Sequence, residues 1–163
     1  GGASRFLPTR GLVMLPKRYI AKDLIEALEN TKQEINERTR NTPVYKRGFN
    51  DCFAMVMVYD EKLRGYTKSK EIVDFEWESP KEFISKLKRK GYSLTDFATY
   101  CGYTVVTSKR PELGDIAFEN GSAMIADKDH WISTSEINDG VQNKRQIQFL
   151  ERNVSLIARP IRS

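Results

Sequence analysis

The apolar spacing of this chain changes period once, at Cys101-Gly102. Before that point the apolar residues recur at helical intervals, and after it they alternate. Leu24, Leu28 and Ile35 predict a helix over 22–38, ended by Thr42-Pro43. Asn50-Asp51 ahead of the run Cys52 to Tyr59 predicts a capped, buried helix beginning at Cys52. A strand fits the same run, but Ala54, Met55 and Met57 favour helix. Ser79-Pro80-Lys81-Glu82 is a capping box with proline at the first helical position, and Leu94 to Tyr100 follows as a shorter helix. Beyond the switch, strands are expected at Tyr103–Thr107, Ile116–Phe118, Ala123–Ala126, Trp131–Ser135, Ile147–Leu150 and Val154–Ile157. The hairpin signal Glu119-Asn120-Gly121 and a turn at Asp127-Lys128-Asp129 separate the central ones. Helices first and a meander afterwards define an α+β domain, its N-terminal helices packed on an antiparallel sheet.

Rare residues limit the chemistry. The 163 residues include one histidine, His130, and two cysteines, Cys52 and Cys101. No group of Cys, His and acids has zinc-site spacing, and two cysteines do not make a disulfide scaffold. No metal or other cofactor is expected. Cys101 reads as a small core residue. Cys52 stands at a helix start, where the helix dipole favours the thiolate, and Asp51 beside it reads as the cap. An Asp51 carboxylate close to the thiol would oppose that effect.

Gly48-Phe49-Asn50-Asp51-Cys52, followed by a helix, resembles the Gly-x-x-Asp-Cys start of the NlpC-type papain-like cysteine peptidases, most closely the small members found among phage tail and virion genes. Pro43 with Tyr45, then Gly114-Asp115-Ile116-Ala117-Phe118 and a closing meander, fall in that family's order, from about Leu15 to Ile161. The resemblance implies a circularly permuted papain-like fold with Cys52 at the nucleophile position. It implies a histidine base at the opening of the strand after Gly114–Phe118, and a polar residue about one strand later that orients it. Counted along the chain, the histidine slot falls on Ser122 and the third position on Ser133 or Thr134. Ser122 is no base; its hydroxyl is expected to bond the thiol in a retired pocket. With residues 127–129 as the turn, His130 falls opposite Ala126, four residues or about 13 Å from Ser122. Proton transfer needs about 3 Å, which makes His130 a poor substitute.

The net charge of +5 arises in the first third, where residues 1–50 hold ten Lys or Arg and five Asp or Glu. Residues 1–20 read as an extended basic arm and 21–163 as one NlpC-like domain. Gly1 to Ser4 offer neither an initiator Met nor an apolar signal core. Arg5, Arg10, Leu12, Met14, Lys17 and Arg18 are the residues of the arm expected to meet a partner. The resulting expectation is a structural component of a bacteriophage virion, of the tail in particular, made in the host cytoplasm and contacting other virion proteins in an oligomeric assembly. An active cysteine peptidase or amidase acting on peptidoglycan during infection or release is the first alternative. Nucleic-acid binding through the arm is the second, with no stacking-aromatic or recognition-helix motif to accompany the charge. No run of 18 apolar residues is present, so no membrane span is expected.

Overall fold

Leu24, Ala27, Leu28, Thr31, Ile35 and Thr39 recur every three or four residues, and they form the buried stripe of the first helix. In the computed structural model, which describes residues 17–107, 110–119, 121–136, 140–147 and 154–162, this helix is α1 (Ala21–Asn41). The second, α2 (Cys52–Arg64), buries Cys52, Phe53, Ala54, Met55, Val58, Tyr59 and Asp60. Apolar on most of its circumference, it occupies the centre of the domain. Gly65, at φ 84°, ends it with its N–H on the Glu61 carbonyl. Three shorter helices follow: α3 (Ser69–Ile72), α4 (Pro80–Arg89) and α5 (Leu94–Tyr100). Ser79 caps α4 by accepting from Glu82 N at 3.1 Å. The returning bond of that box goes from Glu78 N to Glu82, one residue before the cap itself.

The strands are β1 (Lys17–Arg18), β2 (Tyr103–Val105), β3 (Ile116–Glu119), β4 (Ser122–Asp127), β5 (His130–Thr134), β6 (Val141–Gln146) and β7 (Val154–Arg162). All pairings are antiparallel, in the order β1-β7-β3-β4-β5-β6, with β2 also on β7. The meander β3–β6 is therefore closed by β7 returning beside β3. Ala158 partners both Val105 and Ile116, which puts β2 and β3 on opposite edges of β7.

The sheet departs from the sequence reading at β6 and at one turn. β6 (Val141–Gln146) is a strand the sequence reading did not expect; of the strand expected at 147–150 only Ile147, just past β6, lies within the described residues. The turn after β4 is Lys128-Asp129 alone, because Asp127 pairs with His130. Of the arm residues, Arg5, Arg10, Leu12 and Met14 lie outside the described residues. Lys17 and Arg18 form β1: their backbones pair with Arg162 and Ile161 of β7, the Arg18 guanidinium bonds Glu112, and both residues stay exposed.

Alternation gives the sheet two apolar faces. Ala123, Ile125 and Ile132 join the helices in the main core, with Cys52, Phe53, Met55 and Phe83. Ala117, Met124, Ala126, Trp131 and Ile157 form a second cluster on the other face. In the main core the Phe53 and Phe83 rings stack at 4.4 Å, and Trp77 meets Phe83 edge-on at 4.9 Å.

The Gly114-Asp115 step has a physical reason. Gly114 sits at φ 86°, and a Cβ there would lie 2.8 Å from Leu24 Cδ2 and from the Tyr59 hydroxyl. That hydroxyl donates to the Gly114 carbonyl at 2.8 Å. Asp115, fully buried, takes a fork of two 2.8 Å bonds from Arg159 on β7. Gly114→Ala combines a strained left-handed backbone with overpacking, and is expected to cost about 2–4 kcal/mol in urea unfolding. A change below about 0.5 kcal/mol would show that the strand entry relaxes freely.

Candidate functional site

The Cys52 site begins with its cap. Asp51 stands at the N-cap of α2 with extended backbone, and its Oδ1 accepts from Ala54 N at 2.9 Å and Gly48 N at 3.1 Å. Its Oδ2 accepts from the Trp77 indole at 3.0 Å. Gly48, at φ 80°, lets that indole close over the backbone: a Cβ there would stand 3.3 Å from Trp77 Cη2. Asn50 locks the preceding loop, accepting from Lys46 N at 2.7 Å and donating to the Val44 carbonyl at 3.1 Å. Gly-x-Asn-Asp-Cys is thus a fastening of loop, helix start and Trp77, in which every Asp51 bond is structural.

Cys52 lies where β4 and β5 part. Their pairing ends at Ile125–Ile132, which frees the backbone groups of Ala123. Ala123 N donates to Cys52 Sγ at 3.4 Å, and the Ala123 carbonyl accepts from Ser133 Oγ at 2.7 Å. The thiol substitutes for a missing strand partner. It is 4% exposed, and burial pushes its pKa up, with the Asp51 carboxylate adding to the rise. The Ala123 N–H and the Arg47 charge oppose this without overcoming it. Desolvation therefore outweighs the activation expected from the helix start.

The remaining expected positions separate. Ser122 is exposed and alternates onto the face of Met124 and Ala126, away from Cys52; the residue on the helix side of β4 is Ala123, in the same buried cluster as the thiol. The residue of β4 that faces Cys52 is therefore Ala123, one on from Ser122, and it is the Ala123 N–H, not the Ser122 hydroxyl, that bonds the thiol. Of the two third-position candidates, Ser133 is committed to the Ala123 carbonyl, whereas Thr134 alternates onto the helix side with Ile132. Thr134 Oγ1 is buried without a hydrogen bond of ordinary geometry, although its hydroxyl is near enough to Tyr45 to favour the phenolate. Burial, the dominant influence, nevertheless raises the Tyr45 pKa, and the neighbouring Cys52 adds to it. His130 is at the far end of the hairpin, paired with Asp127 and bonded through Nδ1 to Asp129 Oδ1 at 2.7 Å. Ala123 and Asp127 are four residues apart on one strand, about 13 Å.

Above the site is an open cleft of about 570 Å³, lined by Val44, Tyr45, Arg47, Trp77, Glu78 and Glu136 among others. Arg47 bonds Glu136 at 2.8 Å and lies over the Tyr45 ring. Cys52 is not part of the lining, so the cleft stops at Tyr45 and Trp77. Sequence reading missed Ala123, Arg47 and Trp77. Counting the alternation back from Ile125 finds Ala123; Trp77, 26 residues from Asp51, leaves no local signal.

Among the described residues no three His, Cys, Asp or Glu side chains converge as metal ligands, and no helix is long and apolar enough to cross a membrane. Comparisons with protein-family models, curated proteins and solved structures find no match to this chain.

Both thiols keep their protons past the ordinary value of 9.0, Cys101 up to about 12, chiefly through burial. In the unfolded chain they ionise near 9, so the unfolded state releases protons first and stability falls as pH rises past 9. The slope approaches about 1.4 kcal/mol per pH unit for each thiol. Urea unfolding between pH 8 and 10 is expected to show this fall, and Cys52→Ala with Cys101→Ala to make it shallower, the remainder near pH 10 belonging to buried phenols such as Tyr59 and Tyr103, which are raised in the same direction. An unchanged slope in the double variant would assign the fall to other groups.

Proposed function

We propose that this chain is a structural component of a bacteriophage virion, of the tail in particular, built on an NlpC-type papain-like scaffold whose cysteine no longer performs hydrolysis. The motif order of Gly48–Cys52 and Gly114–Phe118 supports the scaffold. One observation supports the loss of chemistry above all: the Cys52 thiol takes a backbone N–H from Ala123 at 3.4 Å, at the position where a base would stand. An alanine side chain fills that position, and the chain's one imidazole stands at the far end of the β4–β5 hairpin. General base catalysis contributes about 10²- to 10⁴-fold, and a raised thiol pKa removes more. The engagement of Arg18 with Glu112 also takes one cation of the arm away from a nucleic-acid reading.

Two measurements test the proposal together. Mass spectrometry of purified phage particles from cells carrying the gene is expected to find the chain in fixed proportion to other virion proteins. Purified protein incubated with peptidoglycan is expected to release no stem peptides. Absence from particles, or peptide release abolished by Cys52→Ala, would overturn the reading.

A further inference from the structure

A second groove, of about 510 Å³, runs along α4 away from the Cys52 cleft, lined by Ser79, Pro80, Lys81, Ile84, Ser85, Lys88 and Gly121. Lys81, Ile84, Ser85 and Lys88 follow at intervals of three, one and three residues, a single stripe of the helix. The stripe is opposite in purpose to the buried Phe83 and Leu87. Its floor is apolar, from Pro80 and Ile84, and Gly121 closes the far wall: a Cβ there would meet Pro80 Cβ at 3.0 Å.

The charges of the stripe are uncompensated. Lys86 of the same helix is held by Glu82 at 3.1 Å, and Lys90 just beyond it by Asp74 at 2.5 Å. Glu82 is the one acid of α4, so none of its carboxylates remains for Lys81 or Lys88. Neither lysine has an ion-pair partner among the described residues. They stand seven residues apart, about 10 Å along the axis, at the two ends of an apolar floor with the Ser85 hydroxyl between them.

We propose that this groove is a docking site for an acidic segment of a partner protein. Its signature would be two carboxylates about 10 Å apart, the spacing of positions i and i+7 on a helix, flanking an aliphatic side chain that sits on Ile84. Charge complementarity carries the choice of partner: the groove offers two lone cations, one hydroxyl and apolar carbon. This surface is separate from Cys52, so the inference stands or falls independently of the reading of that site.

The test uses the full chain and a fluorescent helical peptide with two Glu at i and i+7 around a Leu, followed by anisotropy. Saturable binding is expected, weakened at least about tenfold by Lys81→Glu with Lys88→Glu. Ile84→Ser, which leaves the charge unchanged, is expected to weaken it about threefold or more. Lys22→Glu with Arg40→Glu makes the same charge change on α1 and is expected to leave binding intact. Circular dichroism of each variant checks that the fold is kept. No saturable binding, or equal loss in both double charge variants, would overturn the proposal. So would a groove-dependent preference for duplex DNA over the peptide, which would make the site a nucleic-acid contact. Concentration-dependent self-association lost with Lys81→Glu and Lys88→Glu would overturn it in favour of a second copy of this chain.

Discussion

Asp51→Ala is expected to lower the unfolding free energy by about 3 kcal/mol, among the largest effects of any single truncation near Cys52. The carboxylate holds three donors at once: Ala54 N of the helix, Gly48 N of the loop and the Trp77 indole. Losing the cap costs about 1 kcal/mol. The indole and the Gly48 N–H then face the interior unpaired, at about 1–3 kcal/mol each. Part is returned because burial already penalises the charged carboxylate, holding its pKa above the ordinary 3.8. Asp51→Asn keeps one acceptor oxygen but sets an amide N–H against other donors, and an intermediate loss of about 1–2 kcal/mol is expected. Urea unfolding followed by tryptophan fluorescence measures both. If Asp51→Ala falls within about 0.5 kcal/mol of the parent, the fastening role assigned to this residue is wrong.

The second large effect is a gain. Ala123→His is expected to speed alkylation of Cys52 by iodoacetamide at pH 7 about 10- to 100-fold in a Cys101→Ala background. The Ala123 N–H already reaches Cys52 Sγ, and its side chain is on the helix side of β4. An imidazole there can form the thiolate–imidazolium pair that lowers thiol pKa values into the range of about 3.5–7.5. The larger side chain enters a fully buried position, at about 1–3 kcal/mol of stability, so urea unfolding accompanies the kinetics. Ser122→His is the control: on the other face of the strand, it is expected to leave the rate unchanged. The opposite ranking of the two variants would place Ser122 beside the thiol and reject the register described for β4.

Much of the α+β architecture was legible because its signals are local. Asp51 before Cys52, Ser79-Pro80 before α4 and the change of period at Cys101-Gly102 each depend on neighbours within a few residues. β6 was not legible: Val141 to Gln146 is mostly polar and lies at the end of the sheet, where an edge strand needs little apolar alternation. The site itself turned on one residue of register. Position counting puts Ser122, the first residue of β4, toward the thiol, whereas alternation back from Ile125 puts Ala123 on the side of Cys52. Asp127 closing the hairpin with His130 is a tertiary outcome of the same kind, since the segment Asp127-Lys128-Asp129 is compatible with turns of two or three residues. Trp77 on Asp51 is a long-range bond, and nothing in the local sequence of either residue announces it.

The central claim is that Cys52 is a buried, protonated thiol with no base. The pH dependence of its alkylation in the Cys101→Ala protein tests this most directly. A rate that stays low through neutrality and begins to rise only as pH passes 9.0, the ordinary thiol value, is the predicted result. An inflection between pH 5 and 7 would reveal a thiolate held by a cationic partner and contradict the account.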